Sequence, residues 1–120
     1  MAQGANQPAP TISTHVLDTE RGAPAIGIPV TLYRLSDDGR PLRLTQALTD
    51  ADGRVRDLLE RPLVVGEYRL EFDLAPAPDA AGTLGLFRRV SLDLRIVDAA
   101  RSYHVPLLLA PFALTTYRGS

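Results

Sequence analysis

The feature that most constrains the fold is a series of short β-like runs, separated by turn signals about every 8–12 residues. Apolar and polar side chains alternate along residues 11–18 and 90–97, and turn formers such as Asp52 and Gly53 lie between runs. No stretch longer than about ten residues has helical periodicity with caps. The pattern predicts an all-β sandwich of two sheets, with at most one short helix in the Ala-, Pro- and Gly-rich residues 75–85.

Eight runs are predicted as strands because each combines alternation or β-branched and aromatic residues with a turn signal at its ends. They cover residues 11–18, 30–35, 42–49, 54–59, 67–74, 90–97, 103–109 and 112–117. A length of 120 residues fits one domain. We expect residues 11–120 to form it, and residues 1–10, which are small, polar and proline-rich, to be a flexible leader.

The composition limits the chemistry that the chain can carry. All 13 basic residues are arginine and there is no cysteine, which removes lysine Schiff bases and thiolate nucleophiles. The net charge of −1 gives no electrostatic case for a nucleic-acid or membrane partner, and a cytoplasmic location is predicted. Neither a signal peptide nor a metal site is predicted. Chemistry therefore falls to two histidines, hydroxyls, carboxylates and arginine.

The two histidines lie on strands whose alternation separates polar from apolar neighbours. His15 shares a face with Thr11, Ser13 and Leu17, which suggests a polar cleft, while Ile12, Thr14 and Val16 take the other face. His104 shares a face with Pro106 and Leu108. An imidazole exchanges protons near neutral pH and can act as a general acid or base. The alternative is that each is a structural histidine in a strand.

Two blocks near the chain ends carry a specific resemblance. Ser-Thr-His-Val-Leu-Asp-Thr occupies residues 13–19, and Tyr-His-Val-Pro-Leu-Leu-Leu-Ala-Pro at residues 103–111 leads to Thr-Tyr-Arg-Gly-Ser at residues 116–120. Both resemble the signature blocks of the 5-hydroxyisourate hydrolases, which are transthyretin-like proteins. The resemblance covers residues 11–120. Residues 20–75 alone resemble many prealbumin-like sandwiches, including mostly structural carboxypeptidase and pilin modules.

The resemblance implies a transthyretin-like fold and a reaction without a cofactor. The substrate would be 5-hydroxyisourate, a product of urate oxidation in purine degradation, and the product 2-oxo-4-hydroxy-4-carboxy-5-ureidoimidazoline. The assembly would be a homotetramer, a dimer of dimers with its sites at the dimer–dimer interface. The apolar residues 105–109 also favour a symmetric oligomer, since they exceed what one small sandwich needs for its core.

The resemblance also implies the site residues. The catalytic residues would be His15, Arg54, His104, Tyr117 and Ser120, and the substrate-binding residues Arg54, Tyr117, Arg118 and Gly119. One imidazole would deprotonate water while the arginine after the Asp-Gly turn binds substrate and stabilises negative charge. The other imidazole, aided by Tyr117 or Ser120, would position substrate or protonate the leaving nitrogen. Which histidine is the base stays open.

Several alternatives remain at this level. The chain resembles the family less at Leu-Phe-Arg-Arg, residues 86–89, and at Phe-Ala-Leu-Thr, residues 112–115, which affects the expected interface and substrate fit. Arg54 could be a solvated surface charge, and the C-terminal residues could be a frayed strand end. At the level of function, the rivals are a transthyretin-type carrier without catalysis and a purely structural module.

Overall fold

The computed structural model describes residues 9–75 and 85–119. Residues 1–8, most of the predicted leader, lie outside the described part. So do residues 76–84, where the short helix was allowed, and Ser120 of the predicted site. Within the described part there is no helix, and hence none long and apolar enough to cross a membrane.

The nine strands that residues 9–75 and 85–119 form in two sheets confirm the prediction of an all-β sandwich. The strands are β1 (Ile12–Asp18), β2 (Ala23–Pro24), β3 (Pro29–Leu35), β4 (Pro41–Leu48), β5 (Arg54–Val55), β6 (Gly66–Asp73), β7 (Arg89–Ile96), β8 (Tyr103–Ala110) and β9 (Ala113–Thr116). One sheet is five-stranded, in the order β2-β1-β8-β9 with β5 also paired to β1. The other is four-stranded, in the order β4-β3-β6-β7.

Strand β1 is the centre of the five-stranded sheet. It runs parallel to β8 from Ile12, opposite Tyr103, to Asp18, opposite Leu109. Its other edge is shared by two short antiparallel strands, β5 and β2. Strand β9 pairs antiparallel with β8 on the edge of β8 that does not contact β1. The first and the last long strands of the chain therefore lie side by side.

The core lies between the two sheets and is made by the inward residues of each alternating strand. Every second residue of β1 is buried, and the intervening residues are half-buried on the outer face. The buried Thr14 donates a hydrogen bond from Oγ1 to the carbonyl oxygen of Val105 at 2.6 Å. The largest fully buried apolar side chains are Tyr68, Phe72, Ile12, Leu32, Leu58, Leu59, Leu70, Ile96 and Leu107. The predicted alternation is thus confirmed for β1, whereas in β8 it holds only as far as Val105, because Pro106 is buried and Leu109 is half-buried.

The prediction of a strand over residues 54–59 is wrong beyond Val55. The carboxylate of Asp57 accepts hydrogen bonds from the backbone N–H groups of Leu59 and Glu60, both at 3.1 Å, and so closes a turn. Glu60 has a positive φ of 56°, which ends any extended conformation there. Leu58 and Leu59, which follow Asp57 in this turn, are buried in the core although they are not on a strand.

Candidate active site

Three of the predicted site residues lie close together on the outer face of the five-stranded sheet. His15 is directly opposite Arg54 in the β1–β5 pairing. His104 is opposite Ser13 in the β1–β8 pairing, two residues along the strand from His15. Residues i and i+2 of a strand share a face, so both imidazoles point to the side away from the core. Pairing in the sheet, rather than closeness in sequence, assembles this group.

A tight turn brings Arg54 to β1. The carboxylate of Asp50 accepts hydrogen bonds from the backbone N–H groups of Asp52 at 2.8 Å and Arg54 at 3.0 Å. Gly53 has a φ of 77°, and a Cβ atom there would come within 2.4 Å of the Val16 carbonyl oxygen. Only glycine satisfies both conditions without strain. The turn therefore lets Arg54 pair with His15 on the outer face.

The ring of His104 is fixed on both of its edges. Its Nδ1 atom shares a hydrogen bond of 2.8 Å with the Oγ atom of Ser13 on β1. On the opposite edge, a Cβ atom at Gly119 would lie 2.7 Å from the ring's Cδ2 atom. The backbone N–H of Gly119 donates to the carbonyl oxygen of His104 at 2.7 Å, so the chain end is docked beside this residue. The two terminal sequence blocks therefore hold one imidazole between them.

The surroundings of His104 favour its neutral form. Partial burial lowers the pKa of its imidazole below the usual value, and the positive charges of Arg54 and His15 lower this pKa further. A neutral imidazole has one nitrogen that accepts a proton and one that donates. His104 is therefore available as a base in slightly acidic as well as neutral solution.

These residues border a small cleft of about 170 Å³, lined by Ser13, Thr14, Arg54, Arg56 and His104. Among the described residues, the lining contains two guanidinium groups and no carboxylate. His15 adjoins the cleft through its pairing with Arg54 but does not line it. A cleft of this charge suits a ligand that is anionic or rich in carbonyl oxygens.

Arg56 was not among the predicted site residues. Its side chain is mostly exposed and lies 3.6 Å from the Asp52 carboxylate, so it reaches the cleft from the rim. The sequence did contain a signal for it, because Arg54-Val55-Arg56 alternates and places both arginines on one side of the chain. With thirteen arginines in the chain, however, an arginine at any one position is weak evidence for a binding site.

The other predicted residues of the chain end have different positions. Tyr117 is 54% exposed and does not line the cleft. The guanidinium carbon of Arg118 lies 4.3 Å from the centre of the Tyr103 ring, and its Nη2 atom is 3.5 Å from the Ser102 carbonyl oxygen. Arg118 thus stacks on a neighbouring ring, while Gly119 contacts His104 directly. Ser120 lies outside the described residues.

Comparisons with known proteins identify the family of this chain. A family model described as the HIUase/Transthyretin family matches residues 12–119. A 5-hydroxyisourate hydrolase of Deinococcus radiodurans is 41% identical over 116 residues, which cover 92% of this chain and 97% of that protein. The structure of Klebsiella pneumoniae 5-hydroxyisourate hydrolase is 35% identical, with a TM-score of 0.79 and coverage of 92% of this chain and 99% of that one.

Transthyretin itself has the same fold. The structure of sea bream transthyretin in complex with thyroxine superimposes with a TM-score of 0.82, at 26% identity, over 90% of this chain and 93% of that one. The fold alone therefore does not separate hydrolases from carriers. The family model and the hydrolase relatives nonetheless span nearly all of the described strands. This chain belongs to the HIUase/Transthyretin family.

Proposed function

We propose that this protein is a hydrolase that opens the ring of 5-hydroxyisourate in urate degradation. The observation that carries the proposal is the imidazole of His104, held by Ser13 and Gly119 with a lowered pKa, beside Arg54 in a cleft whose described lining residues include no carboxylate. The product is 2-oxo-4-hydroxy-4-carboxy-5-ureidoimidazoline, and the reaction as written needs water and no cofactor. A cytoplasmic location stays a prediction from the sequence.

In the proposed reaction, His104 is the general base. Its imidazole takes a proton from water as the water oxygen bonds to a ring carbonyl carbon of the substrate. The guanidinium of Arg54 stabilises the negative charge that develops on the carbonyl oxygen. When the ring C–N bond breaks, the imidazolium returns its proton to the leaving nitrogen. Atoms and charges balance without any other reactant.

We assign the following roles to the remaining predicted residues. His15, opposite Arg54 in the sheet, orients the substrate or assists proton transfer to the leaving nitrogen. Tyr117 and Arg118 would complete the wall of the site once a second subunit encloses it, and Ser120, which lies outside the described residues, keeps the catalytic role that the resemblance implies. Gly119 acts differently. It allows the C-terminal tail, which we define as residues 117–120, to approach His104 closely, and it does not bind substrate through a side chain.

A transthyretin-type carrier is the alternative with the same fold, and it is less well supported. The transthyretin structures are 25–26% identical to this chain, whereas hydrolases of several bacteria are 36–43% identical over more than nine-tenths of it. In addition, a lowered pKa of an imidazole such as His104 beside a guanidinium group is more typical of a catalytic site than of a site that only binds a ligand.

Activity can be tested directly. 5-Hydroxyisourate, freshly generated from urate by a urate oxidase, decays spontaneously, and its absorbance is followed with and without the purified full-length protein. We expect decay to accelerate in proportion to protein concentration. A rate equal to the spontaneous one, with the protein folded and oligomeric, would exclude the hydrolase. Tight binding of the purine-derived ring without turnover would instead favour a carrier.

We further propose that the protein is a homotetramer, a dimer of dimers. The run at residues 105–109 supports this less than expected, since Val105, Pro106 and Leu107 are buried within one chain. A better reason is an apolar patch at the β8–β9 turn, where Phe112 is 77% exposed and Leu86 is 67% exposed. These two are close, because the Leu86 N–H donates to the Pro111 carbonyl oxygen at 2.7 Å. Strands β7 and β9 also lie at sheet edges, where no other strand of the described residues pairs with them, and such edges can pair with another chain.

Light scattering of the wild type and a Phe112→Ser variant tests the assembly. We expect a mass of four chains for the wild type and a smaller species for the variant, because the substitution removes exposed apolar surface that an interface would bury. The same change at Leu42, which is 65% exposed on β4 at the opposite edge of the four-stranded sheet from β7, is the matched control and should leave the mass unchanged. A fully active wild-type monomer would contradict the proposal.

A further inference from the structure

The hydrogen bond between Ser13 and His104 has a consequence for the chemistry of the imidazole. We propose that Ser13 is a positioning residue: its hydroxyl oxygen accepts the Nδ1–H of His104 and so leaves the lone pair on Nε2. The inference rests on the proposed function, because it concerns the atom of His104 that accepts the proton of water.

The sheet places the hydroxyl where it can select between the two nitrogens. Ser13 and His104 are direct partners in the parallel β1–β8 pairing, and their side chains meet at 2.8 Å on the outer face. The Cδ2 edge of the ring faces Gly119 on the other side. Nδ1 and Cδ2 are the two ring atoms bonded to Cγ, so the Nε2–Cε1 end projects away from the strand. Ser13 therefore contacts Nδ1, and Nε2 is the ring nitrogen that this contact leaves available to a water molecule.

The hydrogen-bonding inventory of the cleft decides which nitrogen carries the hydrogen. Arg54 and Arg56 offer only donors, since a guanidinium has five N–H groups and no acceptor. The hydroxyl of Thr14 is directed to the carbonyl oxygen of Val105. Among the residues that line the cleft, the imidazole nitrogen of His104 is thus the strongest acceptor for a proton of water.

The opposite arrangement would leave the cleft without a base. If Ser13 donated to Nδ1, the neutral ring would carry its hydrogen on Nε2 and present a further donor next to two arginines. Water held by those donors could then not transfer a proton to the ring. With the hydrogen on Nδ1, the arginines orient the water oxygen or the substrate carbonyl, and Nε2 accepts the proton.

Two variants of Ser13 and one remote control test the role. Ser13→Ala removes the acceptor, and we expect kcat to fall roughly 10-fold while KM changes little, as for the loss of one hydrogen bond that positions a base. Ser13→Thr keeps the hydroxyl on a residue suited to a strand and should retain most of the activity. Ser91→Ala removes an exposed hydroxyl from β7 of the other sheet and should have no effect. Thermal unfolding of all three shows that they are folded.

The tautomer itself is measured by ¹⁵N NMR of the free protein, which has only two histidines to assign. We expect a protonated Nδ1 and an unprotonated Nε2 for His104 in the wild type, and a shift of population towards Nε2–H in Ser13→Ala. Protonated Nε2 in the wild type, or unchanged kcat in Ser13→Ala, would overturn the inference. The NMR measurement needs no substrate. Its outcome is therefore independent of the decay assay on the wild type, which tests the hydrolase.

Discussion

Replacement of His104 by asparagine is expected to lower kcat/KM by roughly 10²–10⁴-fold at neutral pH, the usual contribution of a general base. Asparagine can still offer a polar group to Ser13, so the hydrogen bond in the sheet need not be lost. It cannot accept a proton from water. The decay of freshly generated 5-hydroxyisourate, followed with equal amounts of wild type and variant, measures the difference.

The pH dependence of the wild type supplies a second measurement on the same residue. The base acts in its neutral form, so kcat/KM falls as the pH drops through the pKa of His104. Burial first, then Arg54 and His15, lower this pKa, so the activity should persist to more acidic pH than an unperturbed histidine allows.

His15→Gln removes one positive neighbour and should move the acid limb to higher pH. A variant at position 104 that loses less than 10-fold, or keeps the wild-type acid limb, would contradict the assignment.

The alternation of the sequence was sufficient to predict the fold class and the face on which the histidines lie. In β1, and in β8 from Tyr103 to Val105, buried and half-buried positions alternate, and His15 and His104 both occupy half-buried positions. The reason is that a strand buried on one face must repeat with a period of two. Local pattern was thus enough wherever burial on one side determined the residue type.

The pairing of the two histidine strands could not be predicted from local pattern. Ser13 and His104 are 91 residues apart in the sequence, and their contact depends on the parallel register of β1 and β8. A shift of one residue in that register would turn the ring towards a different neighbour. The hydroxyl that fixes the imidazole was therefore visible in the sequence only as a polar residue on the correct face.

Two further differences have local physical causes. The run at residues 54–59 has the composition of a strand, but the side chain of Asp57 caps the backbone N–H groups that follow and turns the chain. Arg118 has the charge expected of a substrate-binding residue, yet the nearby face of Tyr103 provides a cation–π contact within the chain. Its role in binding substrate stays a prediction.

Replacement of Gly119 by alanine is expected to lower kcat/KM by roughly 10²-fold, because a displacement of about 1 Å in a catalytic group can have that effect. The added Cβ atom would lie 2.7 Å from Cδ2 of His104 and 3.3 Å from its Cβ and Cγ atoms. Carbon atoms in ordinary contact are about 3.5–4.0 Å apart. Either the ring moves off Ser13, or the tail leaves β8 and loses the hydrogen bond from the Gly119 N–H to the His104 carbonyl oxygen.

The decay assay and NMR of His104 together separate these two outcomes. A displaced ring changes the Nδ1 environment, whereas a detached tail changes the amide signal of residue 119 and leaves Nδ1 bonded to Ser13. Gly39→Ala is the matched control: it makes the same change at a φ of 83° in a remote turn where a Cβ atom would meet nothing within 4 Å. It should cost some stability and no activity. Wild-type activity in Gly119→Ala would show that the close approach of the chain end to His104 is not required for catalysis.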